Sequence, residues 1–263
     1  MLLCVWNDVR RKKMKKLLLL LLVSISLNGI AQVKRVPPPS YFGFQFRTLF
    51  PTQFIGTNTL VLENDGFKST ISQRIGYSFG GTVRAGITDL IAFESGINFN
   101  QRYYDITYAV PDSGLAGTGG FGFIEYDIPI NGLFYIRLAE NWYMNASMGL
   151  ALTFKPTNVQ TGEAPFGYHR FIYTGLLRKK IGIDANANLG FEFRTEKNGI
   201  FYLGGSARVP FSPLFDMIAS YEWQGKKNRV YGEMDGSYLS LDLKYFFPNI
   251  RNKGTQFRNG PIE

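Results

Sequence analysis

From Tyr41 onward the chain alternates apolar and polar residues with a period of two, in runs separated by clusters of Gly, Asn, Asp and Pro. That pattern predicts strands whose two faces meet different surroundings. Phe42, Phe44 and Phe46 oppose Gly43, Gln45 and Arg47. Ile75, Tyr77, Phe79 and Val83 oppose Gly76, Ser78, Gly80, Thr82 and Arg84. Ile181, Ile183, Leu189, Phe191 and Phe193 oppose Asp184, Asn186, Asn188, Glu192 and Arg194. Eight runs qualify: 41–50, 75–87, 91 to about 103, about 121 to 138, 142–154, 181–194, 201–209 and 237–247.

The connections alternate too. Long ones span about 51–74, 104–120, 155–180 and 210–236, and short ones span 88–90, 139–141 and 195–199. An even number of strands with long links at one end and tight turns at the other predicts an all-β, eight-stranded antiparallel up-and-down barrel. Period alone does not say which face points inward, since a soluble carrier barrel has its apolar side chains inside. Residue size decides. The polar faces are rich in Gly, Ser and Asn between a few charges, as a narrow filled lumen needs, while the apolar faces carry Phe, Leu and Ile side by side. The expectation is a transmembrane barrel with short periplasmic turns and long extracellular loops. Lipid requires closure, because an open edge leaves backbone groups unpaired at several kcal/mol each.

Composition agrees with a surface that faces something besides water: charged residues are 19% of the 263 and aromatics 16%. The net charge of +9 does not mark a nucleic-acid binder. Six cations and Asp8 put +5 of it in the first 31 residues and leave +4 for the remainder. Cys4 is the single cysteine and His169 the single histidine, so neither a thiol site nor a His-rich metal site is expected.

Arg10–Lys16 (RRKKMKK) precede Leu17–Leu27, an apolar run shorter than the roughly 20 residues of a spanning helix. Residues 1–31 therefore read as a Sec-type signal peptide, cleaved after Ala31. Met14 followed by two lysines is the more ordinary start, which makes 1–13 an upstream over-read. Arg10-Arg11 lacks the following apolar residues that twin-arginine export requires. Residues 32–39 form a proline-containing lead, 40–247 the barrel, and 248–263 a periplasmic tail.

The leader ending Ile30-Ala31-Gln32, the run Phe93-Glu94-Ser95-Gly96-Ile97-Asn98-Phe99 with Gln101-Arg102, the stretch Ile124–Pro129 and the closing Tyr238-Leu239-Ser240-Leu241 resemble the small outer-membrane β-barrel proteins of Bacteroidota. That group includes PorT-like members and barrels of the OmpA-type eight-stranded kind. The resemblance implies fold and outer-membrane location, and a link to secretion or gliding machinery. The tail departs from it, since such proteins commonly end at the aromatic residue closing the last strand, here Phe247.

Candidate chemistry is sparse. Gly117, Gly119 and Gly122 spell G-x-G-x-x-G, but a strand and not a helix follows, so a flexible loop is expected and no cofactor. His169 lies on a long connection and reads as a solvated loop residue. In the outer-membrane lipid A deacylases a Ser stands two residues after the His, and here that position is Phe171. Asn145-Ala146-Ser147 matches a glycosylation acceptor in mid-strand and carries nothing.

The inward charges form the main constellation: Arg47, Arg84, Arg102, Arg194, Arg208 and Lys244 against Glu94, Glu125, Asp127, Asp184, Glu192 and Asp242. Six of each sign in a narrow lumen predict a paired plug. An ion path or a carboxylate active site is the functional alternative. The turn at 88–90 places Arg84 opposite Glu94. Trp142 and Tyr143, with Tyr221 and Trp223, are expected as interfacial aromatics.

The expected partners are outer-membrane lipid, the barrel-assembly machinery and a protein at the long loops, with no nucleic acid. A non-enzymatic envelope role leads. A lipid- or peptide-modifying enzyme and a secreted lipocalin-like carrier remain as alternatives.

Overall fold

The structure, a computed structural model, describes residues 40–248 apart from 53–57, 65, 89, 167–168, 196 and 225. The expected leader 1–31, the lead 32–39 and the tail beyond Pro248 lie outside the described residues.

The fold is all-β and antiparallel. Its strands are β1 (Tyr41–Pro51), β2 (Thr59–Asn64), β3 (Phe67–Gly86), β4 (Ile91–Val110), β5 (Leu115–Arg137), β6 (Trp142–Phe154), β7 (Val159–Phe166), β8 (His169–Leu177), β9 (Ile181–Thr195), β10 (Gly199–Pro210), β11 (Phe215–Trp223), β12 (Lys226–Met234) and β13 (Tyr238–Phe246). Pairing runs β1-β13-β10-β9-β6-β5-β4-β3 and returns from β3 to β1. Gln45 shows the closure, lying opposite Lys244 on one side and Gly80 on the other.

Thirteen strands replace the expected eight because most of the long connections are themselves strands. β3, β4 and β5 run on past the ring as an extended antiparallel unit, with β2 added at the β3 edge. The glycine triplet thus lies in or beside strand, in β5, and not in a flexible loop. The stretches 155–180 and 210–236 fold into two hairpins that join as a second sheet, β12-β11-β8-β7. A core of rings and aliphatic side chains, among them Phe67, Ile71, Tyr104, Ile106, Tyr108, Phe171, Phe215 and Met217, joins this sheet to the extended strands. We call this part the distal module.

The tight turns follow from local chemistry. Thr88 Oγ1 accepts the amides of Leu90 and Ile91 at 3.3 and 3.0 Å, and Ile87 N donates to Ile91 O at 2.9 Å. At 195–199 the chain closes through Gly199, whose φ of +85° a side chain would strain. Thr195 Oγ1 bonds the Gly199 carbonyl at 2.8 Å.

β4 shows how the ring and the distal module differ. Its inward residues are Glu94, Asn98, Asn100 and Arg102, then Tyr104, Ile106, Tyr108 and Val110, all buried. Its outward residues are Phe93, Ile97, Phe99 and Tyr103, then Asp105, Thr107 and Ala109. Both faces exchange polarity between Arg102 and Tyr104. β5 does the same: Phe123 precedes Glu125, Asp127 and Asn131 inside, while Gly120 and Gly122 precede Ile124, Tyr126, Ile128 and Ile130 outside. In β3 the register against β4 shifts between Arg74 and Tyr77, a bulge that resets which residues point inward at the same level.

Within the ring, glycines make room for large inward rings. Gly190 and Gly204 are cross-strand partners, and a Cβ on either would overlap the Tyr202 ring lying across them. Tyr202 in turn donates to Asn188 Oδ1 at 2.6 Å. We expect Gly204→Val to destabilise the protein by about 1–3 kcal/mol through overpacking. Gly205→Ala, whose new Cβ would meet its nearest atom, the Ser240 carbonyl oxygen, at an ordinary 3.5 Å, should be near neutral. Urea unfolding of both variants in detergent provides the measurement.

Candidate functional site

Alternation places every charge of the sequence-derived constellation on the inward side, and three groupings result. The first lies toward the short turns. Arg84 and Glu94 stand directly opposite in β3 and β4, and their side chains meet at 2.6 Å. Arg84 also bonds Glu192, Glu192 bonds Arg194 at 2.9 Å, and Glu94 bonds Lys244 at 2.5 Å. Five charges from β3, β4, β9 and β13 thus form one chain. Aromatic rings surround it: the Arg84 guanidinium is 4.1 Å from the Phe246 centroid, and that of Arg194 is 3.9 Å from Tyr143.

The second grouping centres on Asp127. Arg47 and Arg208 each reach it at 3.1 Å, and Asn98 and Asn100 donate to it at 2.7 and 2.6 Å. Arg47 is held further by Ser78 and Asn100. Asp184 joins at the margin, 3.9 Å from Arg208. A carboxylate with four charge-assisted donors is well compensated for its burial.

The third lies at the level where the faces exchange. Arg102 donates to Gln73 Oε1 at 2.9 Å and to the Gly236 carbonyl at 2.8 Å, with its guanidinium 5.2 Å from the Tyr238 centroid. Among the described residues no carboxylate forms an ion pair with Arg102. Glu125 accepts from Asn100 at 3.5 Å, and Asp242 is held by hydroxyls and an amide, Ser240 at 2.5 Å, Ser206 at 3.2 Å and Asn188 at 3.0 Å. The six-against-six set is therefore not a set of six pairs.

One cavity in the lumen is lined by Gln45, Arg47, Glu94, Asn131, Asn186 and Lys244 among others and is small.

Of the four expected interfacial aromatics, Trp142 and Trp223 are exposed, but Tyr143 and Tyr221 are buried. Tyr143 follows Trp142 in one strand and so must face the other way, into the lumen. Tyr221 belongs to the distal core, stacked on Phe171 at 5.0 Å. His169 is not a free loop residue: it begins β8, its Nδ1 shares a hydrogen bond with Tyr221 Oη at 2.8 Å, and its ring stacks on Trp223 at 5.7 Å.

Sequence reasoning missed Lys155 and two inward tyrosines. Lys155 lies one residue beyond β6 yet is buried. Extending the alternation Ala151, Thr153, 155 past the strand end would have found it. Tyr135 and Tyr238 are, like Tyr202, buried on the polar face, where a search for charges passes over them.

No family model matches the chain. No curated protein matches it. Among solved structures it is similar to the outer membrane protein OprG from Pseudomonas aeruginosa, with 11% identity and a TM-score of 0.48 over 83% of this chain and 100% of that one. It is also similar to the beta domain of the Bordetella autotransporter BrkA, with 10% identity and a TM-score of 0.27 over 82% and 100%. Values of this size identify no family.

The Arg84–Glu94 pair is suited to a double-mutant cycle. Arg84→Met and Glu94→Gln each strand a buried neighbour, Glu192 or Lys244 included, and each should cost on the order of 3–5 kcal/mol. The double variant should cost less than their sum by about 0.5–3 kcal/mol. Additive losses on unfolding in detergent would show that the two side chains do not interact.

Proposed function

We propose that the protein is an integral outer-membrane β-barrel of eight strands with a plugged lumen, and that its role is non-enzymatic: it holds the distal module at the cell surface to engage a protein partner. The exchange of both faces along β4 carries this reading. From Ile91 to Tyr103 the outward side is apolar or aromatic but for Ser95 and Gln101, over about 40 Å of strand, which at a tilt of about 45° rises about 30 Å. That is the height of a bilayer's hydrocarbon. Beyond it the outward residues become polar and the inward ones apolar, as water outside requires. Short turns then face the periplasm and the distal module faces outward.

Export by the signal peptide and insertion by the barrel-assembly machinery follow from this placement. Resemblance to PorT-like proteins makes secretion machinery the class of partner to test first. A soluble carrier would line its lumen with apolar groups, whereas charges fill this one. An enzyme centred on His169 would need a free imidazole, whereas among the described residues its Nδ1 is engaged by Tyr221 and its ring by Trp223.

Three single cysteines in a Cys4→Ser background test the reading on one strand. Phe93→Cys should react with a lipid-soluble maleimide and not with an impermeant one. Thr107→Cys, on the same face further along, should react with the impermeant reagent on intact cells, and Asn98→Cys should resist both. Labelling of Phe93→Cys by the impermeant reagent would refute the membrane reading.

Conductance of the purified protein in planar bilayers should be small or absent, since charged side chains fill the ring and the distal core covers one end. A large, stable conductance would refute the plug.

A further inference from the structure

The β8–β9 connection places two cations at the edge of the apolar belt. β9 opens with the exposed Ile181, Lys179 and Lys180 immediately precede it, and both lysines are exposed. The Lys180 carbonyl accepts the Lys155 amide at 2.8 Å, which holds the connection against the top of β6. Arg178, the third cation of the run, is engaged by Asp216 at 2.7 Å and by Glu233. These hydrogen bonds, Asp216's first, raise its hold on its proton. Neither lysine has an ion pair among the described residues.

Directly below them lies an apolar ledge. Ile181 and Ile183 stand opposite Phe154 and Leu152 of β6, and the Phe211 amide donates to the Ile183 carbonyl at 3.1 Å from the other side. All five side chains are exposed, Phe211 at 67% and Ile181 at 61%. Exposed phenylalanine beside uncompensated ammonium groups fits a molecule with acyl chains at one end and a compact anion at the other.

We propose that this ledge and Lys179 and Lys180 bind a phosphorylated glycolipid of the outer leaflet, acyl chains along Phe154, Ile181 and Phe211 and phosphate at the two ammonium groups. The proposal rests on the membrane reading above, which puts the β8–β9 connection at the outer surface. A phosphate monoester is favoured over a carboxylate because it sets a charge of about −1.5 to −2 against two ammonium groups, where a carboxylate sets one.

The test uses the full chain refolded in detergent, first checked for anomalous migration of the unboiled protein on a gel, and then titrated with lipid A by native mass spectrometry. Wild type should retain lipid A. K179Q/K180Q should bind it at least tenfold more weakly, and dephosphorylated lipid A should bind wild type as weakly. K197Q, which removes an exposed lysine from a short turn at the opposite end, should bind as wild type does. Equal binding by K179Q/K180Q, equal binding of the dephosphorylated lipid, or equal binding of phosphatidylglycerol would overturn the proposal while leaving the barrel intact. Failure of the wild type to show the gel shift would overturn the membrane reading itself.

Discussion

A strand has two faces and no freedom to choose between them residue by residue, so a strand that passes from hydrocarbon into water must exchange both faces at one level. Under the proposed membrane placement that constraint organises this protein. Between Arg102 and Tyr104 the inside of β4 changes from charged to apolar and the outside from apolar to polar. β3, β4 and β5 run through both the ring below the exchange and the distal module above it, where the second sheet packs on their now apolar inner face. Backbone closure completes the requirement: β1 is paired with β13 on one side and β3 on the other, so the ring is closed there.

What could be read from the sequence follows from this. In the lower part the alternation carries large apolar residues on one side and small polar ones on the other, so Phe93 outside and Glu94 inside were assigned from β4 alone, and the pairing of Arg84 with Glu94 from the turn. The strand lengths failed at the exchange. Past Arg102 the residues Tyr104, Ile106 and Tyr108 continue the same alternation, but with the apolar side now inward, and a search for one fixed apolar face stops there. In β3 the bulge near Arg74–Tyr77 breaks the phase as well, and it left Phe67 and Ile71 unread.

The candidate site was legible in most of its membership and, apart from Arg84 with Glu94, not in its connections. Alternation within a strand says that Glu192 and Lys244 point inward. It does not say that Glu192 reaches across the lumen to Arg84, or Lys244 to Glu94, because those contacts depend on strands far apart in sequence meeting around the ring. Balanced totals suggested pairs, whereas Asp127 collects two arginines and Asp242 none. Ser206, Ser240 and Asn188 are what makes that imbalance tolerable, since two hydroxyls and an amide donate to Asp242.

The charged lumen also has a role that stability alone does not explain. If the inside of the ring were as apolar as its outside, a slip of one residue between neighbouring strands would exchange two equivalent faces at little cost, and several registers would compete. Unlike faces remove that degeneracy. Slipping β3 against β4 by one would turn Arg84 or Glu94 onto the apolar outer face and break the contact that joins them, and the loss would spread to Glu192 and Lys244 through the same chain. An apolar core of equal volume could hold the ring together as firmly, but the charges make one register the only one in which every buried ion of that chain keeps a partner.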